Sequence, residues 1–170
     1  MSAPMPPVLD AWRMVTAQRS FEGVVALTDL PRLKVSLTDP EGECRFTLEF
    51  GRDDLGLAFV EVRADANLPL LCQRTLERYL HPVSVVQRLG LITDEAQESA
   101  LPEGMEPLLL DEHGQLRGID LVEDELILAL PVVPINPDST ELQAEWPEEF
   151  VKEDKPNPFA ALAALKDRKK

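Results

Sequence analysis

Long apolar runs are missing from this sequence. No stretch approaches about 18 unbroken apolar residues, so no membrane-spanning helix is expected. The N-terminal stretch MSAPMPPVLDAWRM lacks a basic region followed by an apolar one, which speaks against a signal peptide and for the cytoplasm. Aromatic side chains make up only 5% of the chain, too few for a stacking platform on single-stranded RNA. The eight glycines are dispersed, so no phosphate-cradling loop is present. There are two cysteines and two histidines, none closely paired, which is thin material for a zinc site. Without an export signal, Cys44 and Cys72 are expected as two buried thiols rather than a disulfide, and Cys72, set in LPLLCQRTL, as an inert core thiol. No cofactor is implied.

Bases are scarce where acids are dense. The formal charge is −14, from 31 acids against 17 Lys and Arg. Residues 94–154 hold 18 acids and two bases, Arg117 and Lys152. Residues 1–93 are close to balanced, with 12 acids and ten bases, and residues 155–170 carry five bases and one acid. An acidic block of that size repels phosphate, so nucleic acid binding over the whole surface is disfavoured. A local basic patch or a basic protein partner remains open.

What is present reads as an α+β protein: an antiparallel β-meander core, a few short helices, and an acidic, proline-rich, partly irregular C-terminal third. LDAWRMVTAQRS (9–20) predicts a short helix and FEGVVAL an extended segment. LTDLPRL predicts a turn or helix start with Asp29 as its cap. Leu33, Val35 and Leu37 alternate as in a strand. Cys44, Phe46, Leu48 and Phe50 alternate cleanly against Arg45, Thr47 and Glu49. Further strands are predicted near 57–66 and 79–91, with Pro82 marking an edge or bulge. Residues 93–118 read as an acidic surface excursion that returns to the core at Leu108–Leu110. Residues 1–134 are expected as one domain, 135–156 as an acidic proline-rich linker, and 157–170 as a short helix with a basic tail.

VEDELILALPVVP (122–134) sets the main chemical question, because three adjacent acids precede an apolar run. Asp120 and Glu123 have the spacing of a capping box, and acids in a first helical turn gain roughly 0.3–1 kcal/mol from the helix dipole. Pro131 stops the segment. These signals favour a helix over a buried strand. Ile119, Val122, Leu126, Ala129 and Leu130 then share one arc, Asp124 and Glu125 fall outside it, and Glu123 lies at its edge, placed to meet an arginine. Catalysis by this triplet needs a histidine, a metal-ligand set or a facing carboxylate, and none is near in sequence. A structural role is expected.

At VEDELILALPVVP and KPNPFAALAALK the sequence resembles the YceD family, and LLCQRT adds a third point of similarity. The residues that carry the likeness are Cys72, Arg74, Glu123, Asp124, Glu125, Pro131, Pro134, Asn157, Pro158 and Phe159. Relatives commonly have Cys-x-x-Cys where this chain has Cys72 and Thr75, so the resemblance leaves open whether a metal or redox role of that pair extends to this chain. The resemblance implies a non-catalytic factor for synthesis, processing or stability of 23S ribosomal RNA. Its implied partner is the large-subunit precursor, met as 23S RNA or as basic ribosomal proteins, with no membrane and no small-molecule substrate. Candidate RNA contacts are Arg45 and Arg63, which share a strand face, and the tail residues Lys166, Arg168, Lys169 and Lys170. The alternative is a metal-dependent RNA hydrolase using Glu123, Asp124 and Glu125. Adjacent acids on a helix diverge, which makes them a poor metal clamp.

Overall fold

The computed structural model describes residues 5–139. Strand β1 (Leu9–Asp10) runs directly into helix α1 (Ala11–Thr16), and the Asp10 carboxylate caps that helix by accepting the Arg13 N–H at 3.0 Å. Strand β2 (Ser20–Ala26) follows, then a 3-10 turn at Leu27–Asp29 and the one-turn helix α2 (Pro31–Lys34). Three long strands come next: β3 (Glu43–Arg52), β4 (Ala58–Leu71) and β5 (Arg78–Ile92). A 3-10 segment (Glu95–Ala100) leads to β6 (Met105–Leu109), β7 (Gln115–Leu116) and helix α3 (Gly118–Leu128).

Five strands form one sheet in the order β2-β3-β4-β5-β6, and β1 pairs with β7 apart from it. The meander expected from the sequence holds from β2 to β5, whose neighbours are antiparallel. Strand β6 corrects it: it lies parallel to β5, because residues 93–104 carry the chain back along the sheet before it pairs again.

Period-two alternation decides which face is buried. Cys44, Phe46, Leu48 and Phe50 of β3 are buried, and register aligns the last three with Ala64, Val62 and Val60 of β4. Helix α1 packs on β3, and α3 packs on β4 and on α2, so the helices cover this one face. Each aliphatic side chain buried there contributes about 1.5–3 kcal/mol relative to exposure. Gly114 joins β7 to α1 at a position with φ +61°, where a Cβ would fall 2.5 Å from Trp12 Cδ1. Its carbonyl accepts the Ala11 N–H at 2.8 Å.

Pro69 and Pro82 both lie in the β4–β5 hairpin. Strand β3 pairs with β4 only as far as Ala66, and β6 pairs with β5 only from Arg88 onward. Among the described residues both prolines therefore sit where the hairpin is a two-stranded ribbon, and a missing N–H breaks no outer ladder. Pro82 marks an edge, as its place in the sequence predicts.

Two local expectations are overturned. Residues 33–37 are not a strand: α2 occupies Pro31–Lys34, Leu33 is buried, and Val35 is 85% exposed. Asp29 does not cap this helix, whose N-cap is Leu30, a residue with no side chain able to accept a hydrogen bond. Among the described residues no helix is long and apolar enough to cross a membrane.

Candidate functional site

Helix α2 begins with Pro31, which has no N–H, so its first free donors are Arg32 N and Leu33 N. Both donate to Glu123 Oε1, at 2.7 and 3.1 Å. Arg32 Nε donates to Glu123 Oε2 at 3.0 Å, and Arg32 Nη1 pairs with Asp124. Glu123 is thus the cap that α2 lacks, supplied from 90 residues away in sequence. Its side chain is 2% exposed, and each oxygen has a donor. This corrects the capping-box expectation. The N-cap of α3 is Arg117, with no side-chain cap bond, and Glu123 serves α2 instead of its own helix. Glu125 is corrected too: it is buried, at 7% exposure, because the buried arc of α3 extends past Val122 to Leu121, with Glu125 between them.

The second cluster sits at the turn between β4 and β5. The Cys72 N–H donates to Glu77 O at 2.9 Å, and the Leu76 N–H donates to Cys72 O at 2.8 Å. Leu76 closes the turn at φ +58°, an uncommon conformation for a branched residue. Residues 134–139 form a strap across this turn. The Gln73 N–H donates to Pro134 O at 2.8 Å, and the Asn136 N–H donates to Cys72 Sγ at 3.3 Å. The Arg74 guanidinium reaches Asn136 O at 3.2 Å and Ser139 Oγ at 3.1 Å. The thiol is fully covered. Thr75 beside the sulfur, then the Asn136 N–H, pull the Cys72 pKa down to about 6. Burial pushes Cys44 up to about 11. Both thiols are free and buried, as expected. Tyr79, 7% exposed, has a buried hydroxyl without a partner, and burial followed by the Cys72 charge raises its pKa.

The third cluster lies on the open face of the sheet. Arg45, opposite Asp65, and Arg63, opposite Thr47, share this face. Arg63 Nε donates to Glu61 Oε1 at 3.0 Å, and Arg88 Nη2 donates to Glu61 Oε2 at 2.7 Å. The Arg88 guanidinium also lies 4.4 Å over the Phe59 ring. Hydrogen bonding from Arg88, then Arg63, holds the Glu61 carboxyl below the usual range although burial opposes it. Arg45 makes no ion pair among the described residues.

Of the residues singled out in the sequence, Cys72, Arg74 and Pro134 meet at the strap, and Glu123 and Asp124 meet at Arg32. Glu125 stands apart from both, and Pro131 is half-buried just beyond α3. Asn157, Pro158, Phe159, Lys166, Arg168, Lys169 and Lys170 lie outside the described residues, as does most of the 135–156 segment. Sequence reasoning missed Arg32, Glu61, Asn136 and Ser139, whose roles depend on partners far away along the chain and leave no short motif. Among the described residues no group of three or more His, Cys, Asp or Glu side chains is placed to hold a metal ion.

Residues 60–166 match the family described as Large ribosomal RNA subunit accumulation protein YceD. The chain belongs to the YceD family. A relative from Haemophilus influenzae, named Large ribosomal RNA subunit accumulation protein YceD, is 34% identical over 169 residues, covering 95% of this chain and 94% of the relative. No solved structure matches the chain. The matched region includes the Cys72 turn, the strap and all of α3.

Proposed function

We propose that this chain is a non-catalytic cytoplasmic factor that supports synthesis, processing or stability of 23S ribosomal RNA during large-subunit assembly. The observation that carries the reading is its end-to-end likeness to a protein named for accumulation of that RNA. The chain meets the ribosomal precursor through basic ribosomal proteins at its acidic block, with RNA contact confined to local cations. Arg45 is better suited to such contact than Arg63, which is already bound to Glu61. The tail Lys166, Arg168, Lys169 and Lys170 is the other proposed RNA contact. The engagement of both Glu123 oxygens by α2 and Arg32 supports a non-catalytic role for the acidic triplet.

The test is the ratio of 23S to 16S RNA in cells lacking the protein, together with incubation of the purified protein with precursor RNA. The reading expects a fall in 23S RNA in the first assay and intact RNA in the second. A normal ratio would end it. Magnesium-dependent cleavage that disappears in Glu123→Gln would replace it with a nuclease.

A further inference from the structure

Strand β6 is the last strand of the sheet order, and its register places Glu106 beside Leu89, on the helix-covered face. Helix α3 lies on that same face. Glu125 of α3 is 7% exposed, and among the described residues its carboxylate has neither a hydrogen bond nor an ion pair. Its oxygens are not sealed in, because the only fully enclosed side-chain oxygens without a partner among the described residues belong to Thr75 and Tyr79. Helix α3 packs on β5, the strand next to β6. Burial first, then the charges of Glu106 and Asp124, raise the Glu125 pKa. Asp124 is neutralised by Arg32, and the lone base between residues 94 and 139, Arg117, sits beside Asp120. Among the described residues Glu125 and Glu106 have no cation of their own. An exposed leucine follows one turn after Glu125: Leu128 on α3 is 72% exposed.

A desolvated carboxylate with a second carboxylate on the same face and an exposed apolar side chain beside it is complementary to a cationic side chain carried on a partly apolar polypeptide. We propose that the seam between α3 and β6, centred on Glu125 and Glu106, is the docking site for a basic segment of a large-subunit ribosomal protein. The inference rests on the function proposed above and names the partner class and the surface. The incoming Lys or Arg supplies the countercharge that Glu125 lacks, and Leu128 covers its aliphatic stem. Nucleic acid is the wrong partner for this surface, since two unneutralised carboxylates repel phosphate.

The test is fluorescence anisotropy of individually purified, labelled large-subunit ribosomal proteins titrated with the full chain at low and moderate salt. Parallel arms use a 23S RNA transcript and magnesium alone. At least one ribosomal protein is expected to bind, and the E106Q/E125Q double variant is expected to weaken it tenfold or more. A control, E95Q/E98Q, removes the same charge from the acidic block elsewhere and is expected to change binding less than threefold. Leu128→Ser, which leaves the charges in place, is expected to weaken binding severalfold. Thermal melts establish that E106Q/E125Q folds, and it should melt no lower than the parent. Equal loss in both double variants would overturn the seam and leave only general electrostatics. Binding of the RNA transcript alone, or Glu125-dependent magnesium binding without protein binding, would also overturn it. In each of those cases the family function stands if cells lacking the chain still lose 23S RNA; a normal 23S to 16S ratio ends that function itself.

Discussion

The open face of the sheet and the seam between α3 and β6 each bury a glutamate, and the fold handles the two in opposite ways. Glu61, 8% exposed, is clamped by two guanidinium groups, one of which is stacked on Phe59. Glu125, 7% exposed, has no partner among the described residues, and the charges of Glu106 and Asp124 act against its own. Loss of hydration disfavours both charges. At Glu61 the arginines more than offset it, and the carboxyl titrates below its ordinary range. At Glu125 nothing offsets it, and the carboxyl titrates above. Burial alone therefore does not tell a structural carboxylate from one kept for a partner; the supply of cations does. Glu123 belongs with Glu61, since its oxygens hold α2 and Arg32.

The comparison can be broken most easily at Glu123. Glu123→Ala leaves two backbone N–H groups and Arg32 without their acceptor, and is expected to lower unfolding free energy by about 3–5 kcal/mol in urea. A smaller loss, under about 1 kcal/mol, would mean that the cap is not structural. Next comes Glu61→Gln, with an expected loss of about 1–2 kcal/mol, reduced because the Arg63 and Arg88 side chains are 52% and 44% exposed. The pH dependence has a definite sign. A carboxyl with a depressed folded pKa contributes stability that is present above its unfolded pKa and is lost as pH falls through the folded value. Acid titration of unfolding should therefore show a Glu61-dependent loss below the ordinary glutamate range, absent in the variant.

Cys72 sharpens the same contrast with a different group. Ultraviolet thiolate absorbance should show one step at about 6 and a second at about 11, and Cys72→Ala should remove only the first. Because the folded Cys72 pKa is depressed, its contribution is present above the ordinary thiol value of about 8.5 and fades as pH falls through about 6. The Asn136 amide, which loses its acceptor in that variant, should exchange with solvent about three- to tenfold faster. The smallest effect is at Glu125. Its raised pKa means that wild type gains stability as pH falls through the folded value, whereas Glu125→Gln lacks that gain and starts from equal or higher stability at neutral pH, by less than about 1 kcal/mol.

Much of the fold is legible because it follows from local periodicity. Cys44 to Phe50 alternate, and the structure buries the expected four. Pro82 reads as an edge and lies at one, and the segment closed by Pro131 is helix α3. The failures have one physical origin, which is competition from distant partners. Leu33, Val35 and Leu37 alternate, yet Pro31 presets a helical turn and Glu123 completes its cap from the far side of the chain. Asp120 and Glu123 have capping-box spacing, but the α2 amides take the carboxylate. Glu125 falls outside the expected helical arc and is buried because that arc widens to include Leu121. At the candidate site, Cys72 and Arg74 stand out in sequence, whereas Asn136 and Ser139, which complete the strap, look like ordinary loop residues.

The account depends on the opposite treatment of two glutamates with nearly the same burial. Urea unfolding of Glu61→Gln and Glu125→Gln, run side by side at neutral pH, measures that difference directly. The expected result is a lower midpoint than wild type for Glu61→Gln and an equal or higher one for Glu125→Gln. A clear fall in both would show that Glu125 is held by the fold like its counterpart, and would contradict its role as an open site.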